Sequence, residues 1–165
     1  MRRVAVIGNG GGGKSTLSRT LSARLGIPHH EVDPVQFRPD WSSVPADEIE
    51  CKLDGWLAGD AWIIDGFGPL PCIERRIAAA DTVVWVDFPI RTHLWWAVKR
   101  QLFWRVTADG RERPSTKRML NTIWQVHRNW RPRFEGAVLG HEEKLIVLRS
   151  PGELRAFLED PRAER

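Results

Sequence analysis

Gly8-Asn9-Gly10-Gly11-Gly12-Gly13-Lys14-Ser15 decides how this chain folds. The stretch matches G-x-x-x-x-G-K-[ST], a loop pattern that cradles phosphate. Glycines let successive backbone N–H groups turn inward around an anion without a Cβ clash. Lys14 can reach the β- and γ-phosphates of a nucleotide, and the Ser15 hydroxyl can hold Mg2+. The flanks agree. Arg3-Val4-Ala5-Val6-Ile7 reads as a buried strand entering the loop. Ser15 to Leu25 reads as a helix leaving it, with Leu17, Leu21, Arg24 and Leu25 on one face and Gly26 and Pro28 as its stop. The N-terminus of that helix adds partial positive charge where the phosphate would sit.

Outward from the loop, five apolar runs read as strands: 2–8, 29–33, 61–65, 82–88 and 144–149. They are rich in Val and Ile and mostly apolar on both faces, which suits a parallel sheet covered on both sides. Helical patterns near 14–25, 46–58, 70–79, 90–106, 115–137 and 151–159 separate them. Alternation of this kind predicts an α/β fold, a three-layer sandwich around a five-stranded parallel sheet. At 165 residues the chain is expected to form one domain, with residues 105–118 as an exposed flap between two long helices. Ligands of such sheets sit outside the carboxyl ends of the strands. That rule gathers Gly8 to Ser15, Asp33, Asp65, Asp87 and Ser150 around one crevice.

Charge is unevenly spread. Residues 91–133 hold eleven Lys and Arg against Asp109 and Glu112, a net charge of +9, so the rest of the chain carries −5. A basic stretch on an acidic body suits a polyanionic partner, either nucleotide phosphates or a nucleic-acid backbone. No run approaches the ~20 apolar residues of a membrane span. The first strand starts at once, so no secretory signal is expected, and the two cysteines, Cys51 and Cys72, read as reduced thiols of a cytoplasmic protein.

The carboxylates divide the chemistry. Asp65 ends Trp62-Ile63-Ile64-Asp65 and is the first candidate to hold Mg2+ with Ser15; Asp87, before Phe88-Pro89, competes with it. Neither is followed by Glu, and no N-K-x-D run is present. These absences argue against a motor ATPase or a GTPase and for transfer to a small acceptor. Asp33, in Val32-Asp33-Pro34, can orient or deprotonate an acceptor hydroxyl, or simply open an Asp-Pro turn. His29 and His30 have no metal partner at useful spacing and read as strand or surface residues. Phosphoryl transfer needs cationic stabilisation of the equatorial oxygens. Arg111 and Arg113 on the flap are placed to supply it, with Arg100 and Arg105 at its base and Arg128, Arg131 and Arg133 beyond it. Leu94, Trp95, Val98, Leu102 and Val106 form one helical stripe, so the tryptophans of the basic segment (Trp95, Trp96, Trp104, Trp124, Trp130) are expected mostly in the core. Trp41 is the candidate for a ring facing the acceptor.

Together these residues resemble the adenylate-kinase-like P-loop kinases, and within them the small bacterial DNA topology modulation proteins. The likeness rests on Gly8 to Thr16, Val32-Asp33, Trp62-Ile63-Ile64-Asp65-Gly66, Val86-Asp87-Phe88-Pro89, the Arg-rich helix–flap–helix and Leu148-Arg149-Ser150-Pro151, and spans about residues 1–160. It implies a P-loop NTPase fold of the nucleoside/nucleotide kinase type with a helix–flap–helix insertion. It implies an ATP site at Gly8, Asn9, Gly10, Gly11, Gly12, Gly13, Lys14, Ser15 and Thr16, with adenine near Arg100, Ser150 and Pro151. It also implies Mg2+ at Ser15 and Asp65, and a mobile arginine flap. The chain departs from true adenylate kinases at Gly66-Phe67-Gly68, which lacks the Pro-Arg that grips an acceptor phosphate. Arg75 or Arg76 is the nearest substitute.

The expected activity is ATP- and Mg2+-dependent phosphoryl transfer to a small acceptor: a nucleotide, a nucleoside or another hydroxy compound. The competing expectation is a nucleotide-gated nucleic-acid-binding or regulatory protein, supported by the basic segment and its interleaved tryptophans.

Overall fold

Five strands form where the Val/Ile runs predict them: β1 (Arg3–Gly8), β2 (His29–Glu31), β3 (Trp62–Asp65), β4 (Thr82–Val86) and β5 (Leu145–Leu148). The structure is a computed structural model that describes residues 1–36, 38, 42–103 and 115–160. All strand pairs are parallel, in the order β2-β3-β1-β4-β5. The period of two sends alternate residues of each strand to opposite faces. Val4 and Val6 enter one core with Ile63, Val84 and Leu148; Ala5 and Ile7 enter the other with Trp62, Ile64 and Val83. Helices α1 (Lys14–Leu25) and α8 (Pro151–Glu159) cover the first face through Leu17, Leu21 and Phe157. Helices α3 (Ala46–Leu57), α4 (Leu70–Ala79) and α7 (Arg131–Val138) cover the second through Leu53, Ile73, Ile77 and Phe134. The three-layer sandwich is therefore as expected.

β2 is shorter than the 29–33 run. Its ladder continues one step through Val32 N–H to Asp65 O at 2.9 Å, and then a short helix α2 (Asp33–Gln36) begins. Pro34 explains the switch, because a proline with no N–H is tolerated in a helix's first turn but not in a central strand. The predicted helix 115–137 is three pieces: α6 (Thr116–Gln125), a π-helical turn over Val126–Trp130, and α7. Pro132 cannot donate to Arg128 O and would crowd it in a straight α-helix. The wider turn, closed by Arg131 N–H to Val126 O, accommodates the ring.

The apolar stripe of α5 (Ile90–Phe103) is not core, contrary to the periodicity argument. Trp95 is 65% exposed and Leu102 76% exposed, and Trp124 on α6 is 49% exposed. Val106 and Trp104 lie outside the described residues. The buried side of α5 is His93 and Ala97, which face the phosphate loop, where only small or flat groups fit. Periodicity reveals that a helix has an apolar face, but not which neighbour meets it. Here Leu94, Trp95 and Val98 meet Leu120 and Trp124 of α6 across an open groove of about 630 Å3.

The close approach of β1 to β4 sets the loop's origin. Gly8 has φ +131°, and a Cβ there would stand 2.3 Å from Val86 O. Gly55, on the exposed side of α3, has nothing within 4 Å of an added Cβ. Opposite effects are expected by urea denaturation: Gly8→Ala should lose about 3 kcal/mol or more, and Gly55→Ala should gain about 0.5–1 kcal/mol.

Candidate active site

The loop delivers an anion site at the mouth of α1. Gly13, at φ +79°, is the N-cap of α1 and offers no side-chain acceptor, and no acidic residue occupies the first turn. The amides of Lys14, Ser15 and Thr16 therefore keep their donor capacity, and the helix dipole is not neutralised. Lys14 Nζ donates to Asn9 O at 2.8 Å, folding the ammonium over the loop. Enclosure pulls its pKa below the ordinary lysine value, while Asp33 and Asp65 pull it back up; Arg100 and Arg76 are close enough to oppose them. Of the sequence-predicted residues, Asp33, Asp65 and Arg100 thus lie within electrostatic reach of Lys14.

Three carboxylates stand at the sheet's carboxyl edge and differ in state. Asp65 is fully buried; His29 Nε2 lies 3.2 Å from its Oδ1, and Oδ2 has no partner. A carboxylate oxygen accepts, so this contact is a hydrogen bond when Nε2 of His29 carries the proton. His29 is therefore not the plain strand or surface residue its sequence context suggests. Asp87 is tied up: its two oxygens accept from Arg131 Nε at 3.0 Å and Nη2 at 2.9 Å. That bidentate pair leaves Asp65 as the carboxylate with an unmet oxygen. Asp33 is exposed, and its Oδ1 accepts the Phe67 amide at 2.7 Å, fixing the turn after β3.

Arg76 completes the cluster from α4. It is fully buried; Nη1 and Nη2 each donate to Gly66 O at 3.3 Å, Nη2 also to Phe67 O at 3.4 Å, and Nε has no partner. Burial pushes its pKa down to about 10, against the pull of Asp33 and Asp65. Arg75, the other substitute read from the sequence, instead pairs with Asp54 on α3.

The opposite wall comes from α5, α6 and α8. His93 is buried, and its Nδ1 donates to Gly10 O at 2.9 Å. Desolvation, with help from the Lys14 charge, pushes its pKa down to about 4. Asn9 turns its amide away from the loop mouth, with Nδ2 donating to Ile123 O at 2.9 Å and Oδ1 accepting Gly10 N–H at 2.7 Å. Only its backbone remains for a nucleotide. Trp96 and Leu154 close on Gly13. Ser150 caps α8, accepting Glu153 N–H at 3.2 Å, and Glu153 returns to Arg149 N–H at 2.7 Å. With Pro151 in the first turn this is a capping box, so Ser150 and Pro151 have a structural role whatever they touch on a ligand. Arg111, Arg113, Arg105 and Trp41 lie outside the described residues. His93 carried no sequence signal of its own, and nothing local tied His29 to Asp65 or set Arg131 apart from its neighbouring arginines, because such pairings exist only once the fold brings them together.

No protein-family model and no curated protein matches the chain. Solved structures do. The shikimate kinase of Acinetobacter baumannii, in complex with shikimate, superposes with a TM-score of 0.66 at 12% identity over 98% of this chain and 90% of that one. That of Bacteroides thetaiotaomicron gives 0.66 at 13% identity over 98% and 96%. That of Aquifex aeolicus gives 0.55 at 17% over 96% and 92%. The chain has the shikimate kinase fold. Identities this low speak to architecture alone, and that architecture is the five-stranded parallel α/β sandwich the motifs implied.

Two outcomes follow from the buried charges. A His93 pKa of about 4, against 6.5 unfolded, means the unfolded chain binds the extra proton first as pH falls. Stability should be intact above pH 6.5 and decline by a few kcal/mol toward pH 4; urea titrations across that range should show a flatter profile for His93→Asn. Arg76→Ala, which empties a fully buried site and leaves Gly66 O and Phe67 O without their donor, should cost about 3 kcal/mol at pH 7 by the same method.

Proposed function

We infer that this chain is an ATP-dependent phosphotransferase that phosphorylates a hydroxyl of a small acceptor. The observation that carries this reading is the convergence of Lys14, Asp33, Asp65 and Arg76 beside an α1 N-terminus whose amides have no side-chain cap. The first-turn amides and Lys14 would hold the β- and γ-phosphates. Asp33 would align the acceptor O–H and take its proton as the oxygen–phosphorus bond forms and the bond to the β-phosphate oxygen breaks, leaving ADP. Arg111 or Arg113 would close over the transferred group and exclude water.

The unpartnered Asp65 Oδ2 and the Ser15 hydroxyl fit a Mg2+ site. Among the described residues no three His, Cys, Asp or Glu gather as a metal cluster, which suits Mg2+, since it usually keeps waters and takes only one or two protein oxygens besides phosphate. Bound there, Mg2+ would neutralise charge shared between the β- and γ-phosphates.

The acceptor class is open to a direct screen, and a hydroxy acid of the shikimate type belongs in it because a shikimate complex shares the fold. The closer kinship with DNA topology modulation proteins rests on the sequence motifs alone. A nucleic-acid role draws on the exposed Trp95 and Trp124 within the +9 segment. It would show as DNA or RNA binding that falls steeply with salt. No described helix is long and apolar enough to cross a membrane, and a cytoplasmic setting is part of this proposal.

ADP production from MgATP should rise with one member of a panel of nucleosides, nucleoside monophosphates and hydroxy acids. Lys14→Ala should lower that rate by a factor of about 100 or more with an unchanged circular dichroism spectrum. Acceptor-dependent turnover by Lys14→Ala at the wild-type rate would remove the P-loop from the mechanism.

A further inference from the structure

The phosphate-loop pattern demands glycine only at positions 8 and 13, yet Gly10, Gly11 and Gly12 are glycine too. Each of these three is faced by α5 or α6. A Cβ at Gly10 would stand 3.4 Å from Ile123 Cγ1 of α6. Gly11 has φ +73°, and its Cβ would stand 2.7 Å from His93 O. Gly12 has no unusual φ, and its Cβ would stand 2.8 Å from His93 Cε1 and 3.0 Å from Val86 Cγ1. The space a side chain would need at Gly12 is taken by an imidazole.

Four consecutive glycines are also the least ordered sequence a loop can have. Something outside the glycine run must choose among its conformations, and three side-chain bonds do so. His93 Nδ1 donates to Gly10 O at 2.9 Å, and Asn9 Nδ2 donates to Ile123 O at 2.9 Å while Asn9 Oδ1 takes Gly10 N–H at 2.7 Å. In a trans peptide the C=O and the following N–H point opposite ways. Tying Gly10 C=O to α5 therefore turns Gly11 N–H away from α5.

We propose that His93, acting with Asn9, is a positioning residue that holds the phosphate loop in its anion-receiving shape, so that nucleotide affinity is set by the α5 and α6 helices. This deepens the ATP-site reading and rests on it. Pre-organisation by His93 spares bound nucleotide the cost of ordering the glycines. His93 is buried against the Phe88 ring, and its low proton affinity keeps it neutral, with Nδ1–H as donor, at ordinary pH.

The test is ATP titration by calorimetry on the full chain. His93→Ala should raise the Kd for ATP about tenfold, the loss of one buried hydrogen bond. His93→Asn, which can present an amide N–H where Nδ1–H stood, should stay within about threefold of wild type. Gly12→Ala should weaken ATP binding, and it should weaken binding less when added to His93→Ala than when added to wild type, because the imidazole has gone and only the Val86 Cγ1 contact remains. Lys14→Ala separates the two levels of inference. If it weakens ATP binding while His93→Ala binds like wild type, or while His93→Asn is as weak as His93→Ala, the loop reading stands and the positioning role is overturned. If Lys14→Ala also binds ATP like wild type, the ATP-site reading itself falls.

Discussion

Compensation of buried charge around Lys14 is the constraint on which the carboxyl edge of the sheet depends. A lysine and a fully buried arginine sit with two carboxylates, one of them without any solvent exposure. The fully buried ions, Asp65 and Arg76, would each alone cost several kcal/mol to desolvate. They are tolerated because four elements deliver the charges together: Lys14 from α1, Asp33 from α2, Asp65 from β3 and Arg76 from α4. The compensation is incomplete, since Asp65 Oδ2 and Arg76 Nε have no partner. Buried polar atoms left unmet in a native fold are costly and rare. Their presence side by side with a phosphate loop is what separates this edge from an ordinary stabilising ion-pair network.

The same edge is closed on its other side by shape rather than by charge. Trp96 and Leu154 approach Gly13, and His93 and Ala97 approach Gly11 and Gly12. Such contact requires both a side-chain-free loop and a flat or small helix face. The result is a rigid floor built from a glycine tract that has no rigidity of its own.

The π turn connects these two halves. Pro132 widens the helix, and Arg131 at the start of α7 then reaches Asp87 in a bidentate pair while lying 5.9 Å over the Trp85 ring. The Asp87 carboxylate and the Glu135 side chain hold the Arg131 pKa above its ordinary value. Asp87 thereby anchors the chain returning from α6. One proline thus bears on which carboxylate remains available to a ligand.

The sequence by itself determined the parallel sandwich and the phosphate loop. Val/Ile runs of strand length, Gly26 and Pro28 after α1, and the spacing of Gly8, Gly13, Lys14 and Ser15 are local signals that need no distant partner to be read. It also named Lys14 by the loop motif and Asp33 and Asp65 by their places at the ends of strand-like runs, a consequence of topology. Only the tertiary structure showed how Asp65 and Asp87 differ in their partners, because pairing depends on residues distant in sequence: Arg131, 44 positions from Asp87, and His29, 36 positions from Asp65. It likewise decided that Trp95 and Leu102 face outward while His93 faces the loop. A helix carries its apolar stripe in its own periodicity, but which face is buried is settled by the neighbour that can approach it, and here the neighbour is a run of glycines.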